Sequence, residues 1–111
     1  MVTFSDQLDL TFGALADPTR RAIVDLLAER EHTVSEIARP FPVSRPAISK
    51  HLRVLQSAGI ITRTKRGREN VCRLDGERLQ EALKWVEQYR KFWERQLGQL
   101  ERYLEKEETS E

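Results

Sequence analysis

Apolar side chains recur every three or four residues along most of this chain, and that spacing predicts a mainly helical fold. The first helix is expected over about residues 5–16, with Ser5 as its N-cap. Its apolar face consists of Leu8, Phe12 and Leu15, which follow one another at helical intervals. The chain is therefore expected to open with an amphipathic helix.

Two further helices are predicted before residue 40. The second runs from Pro18 to about Glu29, because Asp17 is a good N-cap and proline suits the first helical position. The third is short and follows Thr33, which has the capping-box spacing to Glu36. Their inward-facing residues are expected to be Ala22, Ile23, Leu26 and Leu27 in the second helix and Val34, Ile37 and Ala38 in the third.

A fourth helix is predicted after the proline-rich turn at residues 40–42, and its two sides differ in chemistry. Ser44 is its N-cap, Pro46 lies in the first turn, and Gly59 supplies a left-handed stop. Ile48, Leu52 and Leu55 form a stripe that is expected to be buried. The other side carries hydroxyls and cations, at Arg45, Ser49, Lys50 and Arg53. The short helix, tight turn and cationic helix predict a helix-turn-helix over residues 33–58.

The hydrophobic period changes after Gly59 and predicts a β-hairpin, or wing, over residues 60–74. Ile60, Ile61 and Thr62 favour a strand, and a second strand is expected where Val71, Cys72 and Arg73 alternate. The tip between them is cationic and contains Lys65, Arg66 and Arg68. Solvated turns are often charged, but this density of cations favours contact with DNA phosphates or the minor groove.

A long fifth helix is predicted over residues 76–106, followed by a solvated end at 107–111. Its apolar positions repeat every seven residues, as Leu79, Val86, Trp93, Leu100 and as Leu83, Leu97, Leu104, with Arg90 interrupting the second series. A second apolar line contains Trp85, Tyr89 and Phe92. One broad face wrapped by the N-terminal helices would explain part of this pattern. A homodimer explains more, with an interface of Leu8, Phe12, Leu15, Val86, Trp93, Leu97, Leu100 and Leu104.

Charge is distributed unevenly along a chain whose formal net charge is only +1. Residues 44–73 contain eight Lys or Arg against the single acid Glu69, so this segment carries +7, while each flank carries −3. The 111 residues suit one domain, and no apolar run is long enough for a membrane span. One cysteine and no signal-peptide pattern favour a cytoplasmic protein.

The sequence contains no pattern that indicates an enzyme. No glycine-rich phosphate loop or nucleophile–histidine set is present, and we expect no catalytic site and no cofactor. Cys72 is expected to be a small strand residue rather than a redox sensor, because no resolving cysteine exists. His51 is expected to be half-buried and hydrogen-bonded to a neighbouring turn or a phosphate, although a base contact or a pH switch stays possible.

The chain resembles the ArsR family of bacterial winged-helix repressors. The resemblance covers about residues 8–104 and is carried by LADPTRRAIVDLL, TVSEIA and VSRPAISKHLRVLQSAGIITRTKRGRENVCRL. It implies a homodimeric transcriptional regulator, commonly an autorepressor, that binds double-stranded operator DNA through the recognition helix and the wing tip. The DNA-contact set predicted here is Ser44, Arg45, Pro46, Ser49, Lys50, His51, Arg53, Lys65, Arg66 and Arg68.

The metal sites of that family have no counterpart in this sequence. The third helix lacks the family's cysteine pair, the last helix contains no histidine, and His32 and His51 lie in separate elements. We therefore expect no metal response. Two possibilities remain for regulation by a small molecule. Either an apolar effector binds among the aromatic residues of the last helix, or the protein has no effector, and we favour the absence of an effector. Two alternative functions are a module that docks an acidic protein and a metal sensor with an unrecognised site.

Overall fold

The computed structural model describes residues 3–109 and contains five helices and three strands in that part of the chain. The elements in order are α1 (Phe4–Leu15), α2 (Pro18–Glu29), β1 (His32–Thr33), α3 (Val34–Ala38), α4 (Arg45–Ser57), β2 (Ile61–Arg66), β3 (Glu69–Leu74) and α5 (Gly76–Thr109). The prediction of a mainly helical winged helix-turn-helix is confirmed. None of the described helices is both long enough and apolar enough to cross a membrane.

Side-chain caps begin the first four helices. Asp17 accepts from the N–H of Arg20 at 3.1 Å, Ser44 accepts from that of Ala47 at 3.3 Å, and Thr33 accepts from that of Glu36 at 3.1 Å, as predicted. Thr33 also donates its own N–H to the Glu36 carboxylate, and its hydrogen bonds lower the pKa of Glu36 to about 2.

The predicted N-cap of α1 is wrong. Thr3, not Ser5, caps this helix, and it forms a capping box with Asp6 through bonds of 3.2 and 3.1 Å. A capping box needs an acidic or amide side chain three residues after the cap. Asp6 occupies that position after Thr3 and accepts a hydrogen bond from the N–H of Thr3, whereas the corresponding residue after Ser5 is Leu8.

The core lies beneath α4. Ile48, Leu52 and Leu55 are fully buried and pack in one cluster with residues from α1, α2, α3 and the sheet. That cluster contains Ala14, Ile23, Leu27, Val34, Ile37, Ile48, Leu52, Leu55, Ala58, Ile60, Ile61 and Cys72. The buried stripe predicted for the fourth helix is confirmed, and its burial fixes which side of α4 faces outward.

The sheet has three strands, in the order β1-β3-β2, where the sequence predicted two. β1 is only two residues long and pairs antiparallel with β3, with His32 opposite Cys72 and Thr33 opposite Val71. The predicted alternation along β3 is wrong, because Val71 and Cys72 are both buried. β3 is the central strand of the sheet, and both α2 and α3 contact it. Successive residues of β3 can therefore both be buried, although their side chains point to opposite faces of the sheet.

The wing turn is tighter than the sequence suggested. β2 continues through Arg66, which is paired with Glu69, so the turn consists only of Gly67 and Arg68. Gly67 has a φ of +64° at the first central position, which is the conformation of a type II′ turn. Lys65 and Arg66 are therefore held in the strand, where backbone pairing fixes their direction, instead of in a mobile tip.

Helix α4 ends in a Schellman motif centred on Gly59. The N–H of Ile60 donates to the carbonyl of Leu55 and that of Gly59 to the carbonyl of Gln56, both at 3.0 Å. Gly59 has a φ of +77°, and a Cβ at this position would lie 2.9 Å from Cγ of Arg78. The stop predicted from the sequence is confirmed, and it directs the chain from the recognition helix into the wing.

We expect Gly59→Ala to lower the free energy of unfolding by about 1–2 kcal/mol, since an L-residue pays that much in the left-handed region. Thermal or urea unfolding monitored by circular dichroism measures the effect. Gly98→Ala is the matched control, because a Cβ there meets nothing within 4 Å inside α5 and alanine favours the helix. Equal stability of the two variants would contradict this account of the turn.

Helix α5 extends well beyond the rest of the fold. It spans 34 residues and packs against α1, and the longest dimension of the molecule is 71 Å. From Leu83 to residue 108, every described side-chain position except the half-buried Gly98 is exposed. The helix continues through Thr109, past the predicted end at 106, and residues 110 and 111 of the predicted solvated end lie outside the described part.

Candidate nucleic-acid interface

Helix α4 presents a polar face opposite its buried stripe. Ser44, Arg45, Pro46, Lys50 and Arg53 are exposed. Ser49 is half-buried beside them. These residues belong to the predicted DNA-contact set, and their face runs along the length of the helix. An exposed helix face with guanidinium, ammonium and hydroxyl groups suits the major groove, where such groups reach phosphates and base edges.

The first turns of α4 share a polar cleft with the wing. Three arginines line it, Arg45 from α4 and Arg63 and Arg68 from the hairpin, and the hydroxyl-bearing Ser35 and Ser49 lie among them. Arg45 donates through Nη2 to Oγ of Ser35 at 3.0 Å, which joins α3 to the start of α4. Three guanidinium groups on one cleft create a strong preference for anionic oxygen atoms, because such charge-assisted hydrogen bonds are the strong ones.

The predicted DNA-contact set did not include Arg63, although Arg63 is one of the four bases at positions 63–68, or Ser35. Arg63 had a usable signal, since it lies two residues before Lys65 and alternate residues of a strand share a face. Glu69 and Asn70 also line the cleft and were likewise not predicted. Ser35 carried no such signal, because only the packing of α3 against α4 brings it to Arg45.

Arg66 of the wing is engaged within the chain. Its two terminal nitrogens donate to the two carboxylate oxygens of Glu31, at 2.6 and 3.2 Å. This hydrogen bonding raises the pKa of Arg66 and lowers that of Glu31. The pair ties the wing to the loop between α2 and β1, and its neighbour Lys65 stays exposed.

His51, which the sequence analysis included in the DNA-contact set, points away from the cationic face. Its Nδ1 lies 3.3 Å from Nη1 of Arg20 and 4.0 Å from Oδ1 of Asp17, and its side chain is 21% exposed. Arg20 in turn donates through Nε to the carbonyl of Ala14 at 2.6 Å. His51 therefore connects α4 to the junction of α1 and α2, as the half-buried interpretation expected.

Lys50 and Arg53 do not line the wing cleft. Together with Val54 they line a second cleft, between α4 and α1, whose other wall contains Leu10 and Gly13. The polar face of α4 is thus divided, with Arg45 and Ser49 toward the wing and the later cations toward α1. This division depends on the position of α1 and is not visible in the sequence pattern.

The residues predicted to form a dimer interface divide into two groups. Leu8 is buried inside the chain and Leu15 is half-buried, whereas Phe12 is exposed and its ring packs edge-on against Trp85 at 5.7 Å. On α5 the predicted positions all lie in the open, with Trp93 60% and Leu97 63% exposed. The remaining exposed members are Val86, Leu100 and Leu104.

The metal-binding potential of the described residues is small. No group of three or more His, Cys, Asp or Glu side chains in residues 3–109 is arranged to hold a metal ion. His32 lies opposite Cys72, and its Nδ1 is 3.4 Å from the Glu36 carboxylate, while its Nε2 is buried without a hydrogen-bond partner among those residues. Burial raises the pKa of the Cys72 thiol, which disfavours the thiolate that binds metals.

Comparisons with known proteins agree with this geometry. A helix-turn-helix domain family matches residues 15–64. The chain is 49% identical over 67 residues to the HTH-type transcriptional regulator Rv2034 of Mycobacterium tuberculosis, which covers 60% of this chain and 63% of that protein. It is 39% identical over 75 residues to the transcriptional repressor SdpR of Bacillus subtilis, which covers 68% of this chain and 83% of the repressor.

The similarity to solved structures extends over a longer part of the chain. The crystal structure of the ArsR family transcriptional regulator RHA00566 superposes with a TM-score of 0.76 at 37% identity, covering 85% of this chain and 97% of that one. The homodimeric winged helix-turn-helix DNA-binding domain of Mb0332 from Mycobacterium bovis superposes with a TM-score of 0.63 at 32% identity, covering 73% of this chain and 77% of that fragment.

Proposed function

This chain belongs to the ArsR family of transcriptional regulators, and from that premise we propose that it is a homodimeric repressor of an imperfect palindromic operator in double-stranded DNA. It acts in the cytoplasm, has no enzymatic role and does not respond to metal ions. The observation that carries the proposal is the cleft in which Arg45, Ser49, Arg63 and Arg68 meet between the recognition helix and the wing.

Helix α5 supplies the dimer interface, together with α1. The apolar side chains from Val86 to Leu104 have no cover within the described chain, and large exposed apolar patches mark association surfaces. The Mycobacterium bovis neighbour is itself a homodimer. In this interface Phe12 and Leu15 extend the contact from α1, and Leu8 supports them from beneath.

A twofold dimer presents two recognition helices and two wings. The operator then contains two inverted half-sites about one helical turn, roughly 34–36 Å, or a multiple of it, apart. In this proposal Arg45 reads a guanine edge with its forked guanidinium group, while Arg63, Lys65 and Arg68 hold phosphates. Lys50 and Arg53 add phosphate contacts from the side of α4 that faces α1.

A gel-shift experiment with the upstream region of the protein's own gene tests this proposal. A specific repressor keeps a discrete retarded band in a large excess of unrelated DNA, and the band weakens steeply with salt as counterions are released. A cationic surface that docks an acidic protein loses the band to the competitor. That second outcome would replace operator binding by a protein-interaction role.

Releasing Arg66 from Glu31 is expected to strengthen DNA binding. Arg66 must leave this exposed ion pair in each protomer before it can bind a phosphate, and Glu31→Gln removes that small cost together with one negative charge per protomer. We expect a rise in affinity of about 2- to 30-fold at low salt, measured by fluorescence anisotropy.

Glu29→Gln is the control for the Arg66 prediction, because it makes the same charge change two residues away at an exposed glutamate that forms no ion pair with another described residue. Arg66→Ala should weaken binding to all duplexes alike and flatten the salt dependence. Equal affinities for Glu31→Gln and Glu29→Gln would show that Arg66 does not reach DNA.

Stoichiometric Zn²⁺ or arsenite is expected to leave operator affinity unchanged. A tight zinc site needs about four N, S or O donors, and the described residues bring no three suitable side chains together. Anisotropy titration with and without each ion measures the response. A loss of affinity at one zinc ion per protomer that chelator reverses would reject this part of the proposal and direct attention to His32, Cys72 and Glu36.

A further inference from the structure

The cleft between α1 and α4 has an apolar floor that no other part of the described chain covers. Leu10, Gly13 and Ala14 form its α1 wall and Val54 and Ala58 lie on the α4 wall. Leu10 is 46% exposed and does not belong to the core cluster. A Cβ on Gly13 would meet nothing within 4 Å, so the space above this glycine is open.

Two cations lie on the α4 side of this floor. Lys50 and Arg53 line the cleft, both are exposed, and neither forms a hydrogen bond or ion pair with another residue of the described chain. Asp9 lies on the α1 side and makes no ion pair with them. The opening therefore carries two unpaired positive charges and one negative charge around an apolar surface, which favours a ligand with one negative charge over a dianion.

We propose that this cleft binds a monoanionic amphiphile, a medium-chain or aryl carboxylate, whose apolar body covers Leu10, Gly13 and Val54 and whose carboxylate is held by Lys50 and Arg53. This location differs from the aromatic cluster on α5. The carboxylate geometry suits the fork of Arg53, and burial of a short hydrocarbon chain supplies the remaining affinity.

Occupancy also opposes DNA binding, and this part of the inference rests on the proposed function. A carboxylate that neutralises Lys50 and Arg53 removes two phosphate contacts from each recognition helix. Because coupling between two ligands is reciprocal, DNA must weaken carboxylate binding by the same factor. The site therefore acts as a derepression switch on the side of the recognition helix that faces α1.

Titration of the full chain with octanoate, below the concentration at which it forms micelles, tests the site without DNA. We expect saturable binding of one octanoate per chain by calorimetry, and at least tenfold weaker binding of neutral 1-octanol, which lacks the charge. Octanol binding as tight as octanoate, or no saturable octanoate binding, would overturn the proposal.

The location is tested by Gly13→Leu, whose side chain fills the open floor. This variant should bind octanoate at least tenfold more weakly, whereas Gly98→Leu, the same change in open space on the polar side of α5, should bind it normally. Circular dichroism verifies that both fold. Unchanged binding to Gly13→Leu would place octanoate elsewhere, such as on the apolar face of α5, and would reject the cleft.

A final comparison separates this inference from the proposed function. At saturation, octanoate should lower the affinity of the wild type for its operator at least tenfold while Gly13→Leu stays insensitive. Octanoate binding by a chain that binds no specific DNA would remove the proposed function and leave the site in place. Specific DNA binding that saturating octanoate does not change would leave the repressor in place and remove the switch.

Discussion

Replacing Leu97 with glutamate is expected to convert the protein to a monomer and to lower its operator affinity by at least a hundredfold. In a twofold dimer the substitution removes two leucines from the interface, and each contributes about 1.5–3 kcal/mol when fully buried. Two carboxylates facing an apolar surface add a further desolvation cost. The sum of about 3–6 kcal/mol from the leucines alone corresponds to a 10²- to 10⁴-fold weaker dimer.

Sedimentation velocity at micromolar concentration measures this change in assembly. The matched control is Gln88→Glu, which adds the same charge to an exposed position on the polar side of the same helix and should stay dimeric. Anisotropy with operator DNA then shows whether affinity falls together with the dimer. A wild-type monomer, or a Leu97→Glu variant that remains dimeric, would contradict the role assigned to α5.

Replacing Arg45 with alanine is expected to remove most of the sequence preference. A bidentate arginine contact to guanine discriminates by about 1–3 kcal/mol, and a dimer makes this contact in two half-sites, so the loss reaches about 2–6 kcal/mol if the sites are independent. The substitution also removes the hydrogen bond from Arg45 to Ser35 in the free protein. At this exposed position that bond contributes about 1 kcal/mol or less to stability.

Arg45→Lys distinguishes a base contact from a phosphate contact. Lysine keeps the charge but lacks the planar fork, so a base-reading Arg45 predicts that this variant retains nonspecific affinity and loses preference. The affinities of each variant for operator and scrambled duplexes, measured at the same salt concentration, give both quantities. If Arg45→Ala leaves affinity and preference unchanged, the wing-side face of α4 does not read DNA.

Much of the fold could be predicted because its determinants are local in sequence. The caps at Asp17, Thr33 and Ser44 and the stop at Gly59 each depend on a residue type within a few positions of the helix end, and all four are confirmed. The heptad pattern of α5 likewise depends on one continuous segment. Local chemistry of this kind is readable without knowledge of the tertiary structure.

The missing parts of the prediction depend on residues distant in sequence. β1 has two residues and no strand pattern of its own, and it exists because His32 and Thr33 pair with β3 about forty residues later. The ion pair between Arg66 and Glu31 joins positions 35 residues apart. The division of the α4 cations between two clefts depends on where α1 packs. None of these long-range contacts can be read from the local sequence pattern.

Selection of binding sites from a library of random DNA duplexes tests the central claim most directly, because it requires no knowledge of the regulated gene. The wild-type protein is incubated with the library at moderate salt and bound duplexes are recovered over several rounds. Our account predicts enrichment of an inverted repeat whose half-sites lie about one helical turn or a multiple of it apart, with guanines that Arg45→Ala no longer selects. Recovery of duplexes without any shared sequence would contradict a specific repressor.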